Sequence, residues 1–274
     1  MIAPNTIGVD LGGTKALILC GNVEERSETG PQFSPVELED RLRRFLKAHN
    51  IHPAGIGVAV PGLVGVSGRI AACDVLPKLA GWRPQAAFGD LRCKVAVAND
   101  VKAALAEEMH DATPGATLGV VMAGTAIGAA FITEGRPLLG TDGWAGELGY
   151  MPVLVGGGVK RLDELAGGSF MAASLGVSSA ELARLASGGD VPALETVRAG
   201  GFALGLALAT VVNLLNPSRL AVGGGALSLP GYWDAAQDAA ARHSIPELWK
   251  ACTLSQVRAG ARVAALGAIR LASA

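Results

Sequence analysis

Ile7-Gly-Val-Asp-Leu-Gly-Gly-Thr-Lys15 is the stretch on which the fold turns. An apolar run of strand composition delivers one carboxylate, Asp10, at its end. Gly12 and Gly13 then turn the backbone, and Ala16 to Cys20 returns as a second strand. Two glycines let backbone N–H groups approach an anion closely, and the Thr14 hydroxyl adds a neutral donor. A carboxylate beside a phosphate-cradling turn is productive when a divalent metal sits between them. Asp10 is therefore read as a Mg2+ ligand acting through water. A plain hairpin with a glycine turn is the other reading of this run. It is not a Walker A loop, because Lys15 falls inside the returning strand.

Working outward, the polar stretch Gly21 to Pro35 reads as a loop, and residues 36–49 as an amphipathic helix carrying Val36, Leu38, Leu42, Phe45 and Leu46. Ile56 to Val60 is short, apolar and uncharged, as a buried strand is, and Pro61-Gly62 turns the chain after it. Val95 to Ala98 is a further buried strand, ending at Asn99-Asp100. Asp100 is placed to cap a helix from Val101 to Met109. A carboxylate there can also take a proton from an attacking hydroxyl while the Asn99 amide orients the acceptor. Capping alone explains Asp100 equally well.

Thr113-Pro-Gly115 reads as a boundary. Beyond it, Leu118 to Met122, the Gly124-Thr125 turn and Ile127 to Thr133 repeat the strand–turn–strand unit of the first half. Two copies across a boundary imply a duplicated α/β fold with a cleft between its halves. Leu220 to Val222 leads into Gly223-Gly224-Gly225, a third strand ending in glycines, which suits a nucleotide base or ribose as well as a simple strand-to-helix turn. Val257 to Leu271 reads as an Ala-rich amphipathic helix. Glu147 stands alone in the nearly uncharged run Trp144 to Tyr150 and looks for a hydroxyl-rich partner, with an exposed turn as the alternative. Asp163 and Glu164 fit the first turn of a helix.

Composition narrows the classes. The chain has 274 residues, of which 17% are charged, with a net charge of −1, so a nucleic-acid surface has no electrostatic support. Thirty-eight glycines suit an α/β protein with many tight turns better than a helical bundle. The four cysteines, Cys20, Cys73, Cys93 and Cys252, are scattered and read as reduced thiols. No signal-peptide pattern opens the chain. The uncharged stretch Ala199–Ser218 is interrupted by glycines and asparagines and ends at Pro217, so it reads as a buried core helix and not a membrane span. A cytoplasmic protein is expected.

Ile7–Lys15, Val58–Ile70, Asn99–Ala104, Leu118–Ala130, Glu147–Tyr150 and Asn216–Gly225 together, in this order, resemble the ROK family of bacterial sugar kinases and repressors. The resemblance implies an actin-like ATPase (ribonuclease H-like) fold of two α/β domains, 1–115 completed by a helix within 257–274, and 116–256. It implies ATP and Mg2+ as cofactors, a sugar or polyol as partner, and often a homodimer. Asp10, Gly12, Gly13, Thr14 and Lys15 match the first phosphate loop, Gly124 and Thr125 the second, and Gly223, Gly224 and Gly225 the adenosine motif. Asp100 matches the catalytic base, with Gly62, Asn99 and Glu147 as sugar contacts. Repressors of the family carry an N-terminal helix-turn-helix. Here the phosphate-loop strand begins at residue 7, which favours an enzyme over a non-catalytic sugar sensor. Related small zinc-free kinases use polyphosphate as donor, which leaves that alternative to ATP open.

Departures fall at the sugar end. Tyr150 stands where many members have His, and residues 151–165 lack the Cys and His of the family's zinc cluster, so no structural zinc is expected. Asp163 replaces a Glu one methylene longer, and the resemblance implies Tyr150 and Asp163 as sugar contacts near the anomeric end in place of that His and Glu. Lys78 replaces an Asn, and Ala126 a Gly in the second phosphate loop.

Overall fold

The computed structural model describes residues 3–273. Strands β1 (Thr6–Leu11) and β2 (Lys15–Cys20) pair antiparallel around the Gly12–Thr14 turn, with Asp10 opposite Leu17. The stretch expected to be a loop carries a third strand, β3 (Val23–Glu28), antiparallel to β2. Gly21, at φ 55°, makes the tight connection between them. Ser34 caps helix α1 (Pro35–Ala48), its backbone N–H donating to Glu37 Oε2 at 2.9 Å, with Pro35 opening the helix. The helix buries Leu38, Leu42, Phe45 and Leu46, whereas Val36 is 63% exposed.

Strands β4 (Gly55–Val60) and β5 (Lys94–Asn99) extend the sheet in parallel, giving the order β3-β2-β1-β4-β5. Every residue of β4 is buried, because helices cover the sheet. One of them is the C-terminal helix Val263–Ser273, which starts later than its Ala-rich sequence suggests. It lies so close that a Cβ on Gly57 would overlap the Ala268 carbonyl. The same helix meets helix α2 (Asp100–Glu108) at Gly267, where a Cβ would overlap the Ala103 carbonyl, and Arg270 pairs with Glu107.

The chain up to Asp111, Leu139–Ala145 and the segment from Ala261 form this first unit; Ala112–Leu138 and Gly146–Gly260 form the second. The Leu139–Ala145 strap is held in the first unit by Lys102, whose Nζ donates to the Gly143 carbonyl. In the second unit β6 (Leu118–Ala123) and β7 (Ile127–Thr133) form the expected hairpin. Arg136–Pro137 pairs along the free edge of β7. After helices α3 (Leu162–Ala166) and α4 (Val191–Leu215), β8 (Arg219–Gly223) joins parallel to β6. Helix α5 (Tyr232–His243) and strand β9 (Thr253–Gln256) follow, and β9 lies parallel to β8.

Helix α4 carries most of the uncharged stretch of the sequence, after Glu195 and Arg198 in its first two turns. By length and composition it is able to cross a membrane, but most of its apolar window is buried in this unit. It packs on α5 at Gly201 and Gly205, where a Cβ would overlap the Tyr232 and Ala236 carbonyls. Asn216, at φ 44°, ends it ahead of Pro217.

Candidate active site

In the first unit Asp10 stands near the end of a central strand, partly buried. Burial pushes its carboxyl from an ordinary 3.8 up to about 6, with the Arg26 guanidinium pulling weakly downward. The turn after it is pinned by Thr29, whose hydroxyl donates to the Gly12 carbonyl at 2.6 Å and whose N–H donates to the Thr14 carbonyl at 3.0 Å. Gly13 approaches Val75 so closely that a Cβ would lie 3.0 Å from the valine Cβ. Thr14 in the turn and Lys15 at the start of β2 are exposed.

The expected cap of α2 moves by one residue. Asn99 is the cap: its Oδ1 accepts from the Val101 N–H at 3.0 Å and the Lys102 N–H at 3.4 Å. Asp100 occupies the first helical position instead, and its Oδ1 accepts from the Val101 N–H at 2.9 Å. The Asn99 amide also donates to the Gly62 carbonyl at 3.2 Å, tying strand end to Pro61-Gly62 turn. Cys73 completes the group, its thiol donating to the Pro61 carbonyl at 3.3 Å. Burial pushes that thiol up, and the Asp100 carboxylate adds to the effect. Gly62, Asn99 and Asp100 thus come together at the carboxyl ends of two adjacent parallel strands, the position where open α/β sheets bind ligands.

The second unit gathers its glycines in the same way. Gly124 and Thr125 turn the chain between β6 and β7, and Gly223-Gly224 ends the neighbouring β8. Gly224 has φ 102°, and a Cβ there would strike the Ala123 carbonyl, so only glycine brings the two features this close. A Cβ at Gly225 would meet open space. From α3 onward, the Gly168 N–H donates to the Gly124 carbonyl at 2.8 Å and the Ser169 N–H to the Thr125 carbonyl at 3.3 Å.

Glu147 is exposed at the start of a single helical turn, Leu148–Tyr150. Tyr150 is 54% exposed, with the Arg161 guanidinium 4.8 Å from its ring centroid. Asp163 is placed differently from its expected sugar contact: it is 6% exposed, and its Oδ1 accepts from the Ile127 N–H at 2.6 Å.

The chain matches the ROK family over residues 6–274. It belongs to the ROK family. It is 27% identical over 265 residues to a glucokinase of Halalkalibacterium halodurans, covering 80% of this chain and 79% of that protein. It is 29% identical over 249 residues to a kanosamine kinase of Amycolatopsis mediterranei, covering 82% of each. The ROK hexokinase of Thermus thermophilus superimposes with a TM-score of 0.78 at 27% identity, covering 98% of this chain and 97% of that one. The fold is accordingly that of a two-domain actin-like ATPase.

Within this ROK protein the sequence missed three supports of the turns. Thr29 lay in the polar stretch taken for a loop, and its two bonds depend on the unforeseen β3. Gly167 and Gly168 carried a signal, a glycine pair directly after a short helix, like the pair at Gly12-Gly13. A Cβ on Gly168 would come within 2.9 Å of the Gly124 carbonyl. Among the described residues no group of three or more His, Cys, Asp or Glu side chains converges to hold a metal.

Proposed function

We propose that this ROK protein is a sugar kinase, moving the γ-phosphoryl group of ATP onto a hydroxyl of a hexose, amino sugar or cyclitol. The observation that carries the reading is the cluster at the end of β5. Because Asn99 caps α2 and holds the Gly62 carbonyl, Asp100 is left beside them at the helix N-terminus, where negative charge is favoured. In this reading the acceptor oxygen attacks the γ-phosphorus, its proton passes to Asp100, and ADP leaves with the electron pair of the broken P–O bond. Relatives that bear the names glucokinase and kanosamine kinase support the acceptor class.

Gly12, Gly13, Thr14 and Lys15, and separately Gly124 and Thr125, take the phosphates, and Gly223 to Gly225 the adenosine. Gly62, Asn99, Glu147 and Tyr150 contact the acceptor. Asp10 fits a Mg2+ site, since a cation offsets the burial that disfavours its ionised form. One carboxylate with waters and phosphates is a usual Mg2+ environment. Bound there, Mg2+ neutralises phosphate charge. The protein is proposed to act in the cytoplasm, as a homodimer.

The test is ADP release from Mg-ATP across a panel of sugars and cyclitols, with Asp100→Asn as the comparison. Turnover with at least one acceptor is expected, and the variant should lose about 10²- to 10⁴-fold in kcat while still binding sugar. An Asn variant of near wild-type rate would sink the base assignment. Sugar binding without turnover by any acceptor would make the protein a sensor, and a parallel arm with polyphosphate decides the donor.

A further inference from the structure

We propose that Asp163 is a positioning residue for the second glycine turn, its buried carboxylate holding the Ile127 amide so that Gly124–Ala126 presents its backbone to the nucleotide phosphates. This rests on the reading of that turn as a phosphate site. Ile127 is the residue where the turn ends and β7 begins, and its N–H reaches Asp163 Oδ1 at 2.6 Å. The other end of the turn is held by the same stretch of chain, through the Gly168 N–H on the Gly124 carbonyl and the Ser169 N–H on the Thr125 carbonyl. Helix α3 and the residues after it therefore grip the turn at Gly124, Thr125 and Ile127.

The carboxylate has little freedom to do anything else. A Cβ on Gly149 would overlap Asp163 Oδ1, so the backbone at Gly149 also crowds this oxygen. At 6% exposure it offers hardly any surface to a sugar. Burial pushes the carboxyl up, partly offset by the Ile127 N–H and the Arg161 guanidinium. A group in those surroundings is retained for its acceptor oxygen, which an amide also supplies. A sugar contact, by contrast, draws on the charge and on an oxygen facing outward.

Asp163→Asn and Asp163→Ala in the full chain separate the two roles. Mg-ADP affinity is measured by calorimetry without acceptor, and KM is measured for ATP and for the best acceptor. The Asn variant should stay within about threefold of wild type throughout. The Ala variant should bind ADP about tenfold more weakly and show an ATP KM about tenfold higher, the scale of one lost buried hydrogen bond, with acceptor KM within about threefold. Should the Ala variant not fold, the Asn variant decides: a selective rise in acceptor KM overturns the proposal, and unchanged constants support it. An Ala variant with unchanged ADP affinity overturns this proposal alone. Wild-type protein that binds no Mg-ADP overturns the nucleotide reading along with it.

Discussion

Asp10 holds its carboxyl where burial disfavours the charge, and stability should record this. With the folded-state value near 6 against an ordinary 3.8, the folded protein binds more protons than the unfolded chain between those limits. Stability contributed by this group is therefore present at low pH and falls as pH rises toward 6, then stays level. Asp10→Asn, neutral throughout, should raise the Tm of the nucleotide-free protein at pH 7.5 and leave it unchanged at pH 3.5. It should also weaken Mg-ADP binding. An Asn variant less stable than wild type at pH 7.5 would refute the argument. The place of a single residue was legible where a strand ends in a glycine turn, as for Asp10. It was not legible where neighbours compete. Asn99 and Asp100 are both good caps, and only the register of β5 against β4, with Asn99 opposite Val60, decides between them. Asp163 was legible as a first-turn carboxylate of its helix, but its bond to the Ile127 N–H was not, because nothing in a sequence shows that Ile127 has been folded against it.

At the scale of elements, apolar runs were found and polar ones were missed. β4 is buried along its whole length and announces itself, whereas β3, Val-Glu-Glu-Arg-Ser-Glu, is an edge strand with mostly exposed side chains and no alternation to find. Thr253–Gln256 was not read as an element, because its sheet partner, β8, lies far away in sequence. The C-terminal helix itself depends on missing side chains. Gly57 in β4 and Gly267 in the helix let its backbone reach β4 and α2 at distances any Cβ would prevent. Gly57→Ala should consequently cost about 1–3 kcal/mol or more, since the Ala268 carbonyl is backbone and cannot swing away. Urea unfolding measures it, and a midpoint indistinguishable from wild type would show that the helix can shift without loss.

The whole molecule repeats one plan, the sheet order third-second-first-fourth-fifth strand with the same strand senses, in both units. The duplication was legible because each copy opens on a strand, a glycine turn and a returning strand. The region after Glu147 is added to this plan. Cysteine and histidine are missing from residues 151–165, and the four cysteines lie apart, Cys20, Cys73 and Cys93 in the first unit and Cys252 in the second. The segment is held by strand pairing and by Arg161. Pro152–Val155 pairs with Gly158–Arg161 in a ribbon, the Arg161 N–H donates to Glu164 Oε2 at 2.7 Å, and its guanidinium lies 4.8 Å from the Tyr150 ring centroid and 5.9 Å from that of Phe170. Stacking and ion pairing of this kind need no metal. Dialysis against a strong zinc chelator should then leave the Tm unchanged, whereas Arg161→Ala should lower it and Arg161→Lys, which keeps the charge but not the flat stack, should fall between. Tightly held zinc at one per chain, or a chelator-dependent drop in Tm, would show that a metal secures this segment after all.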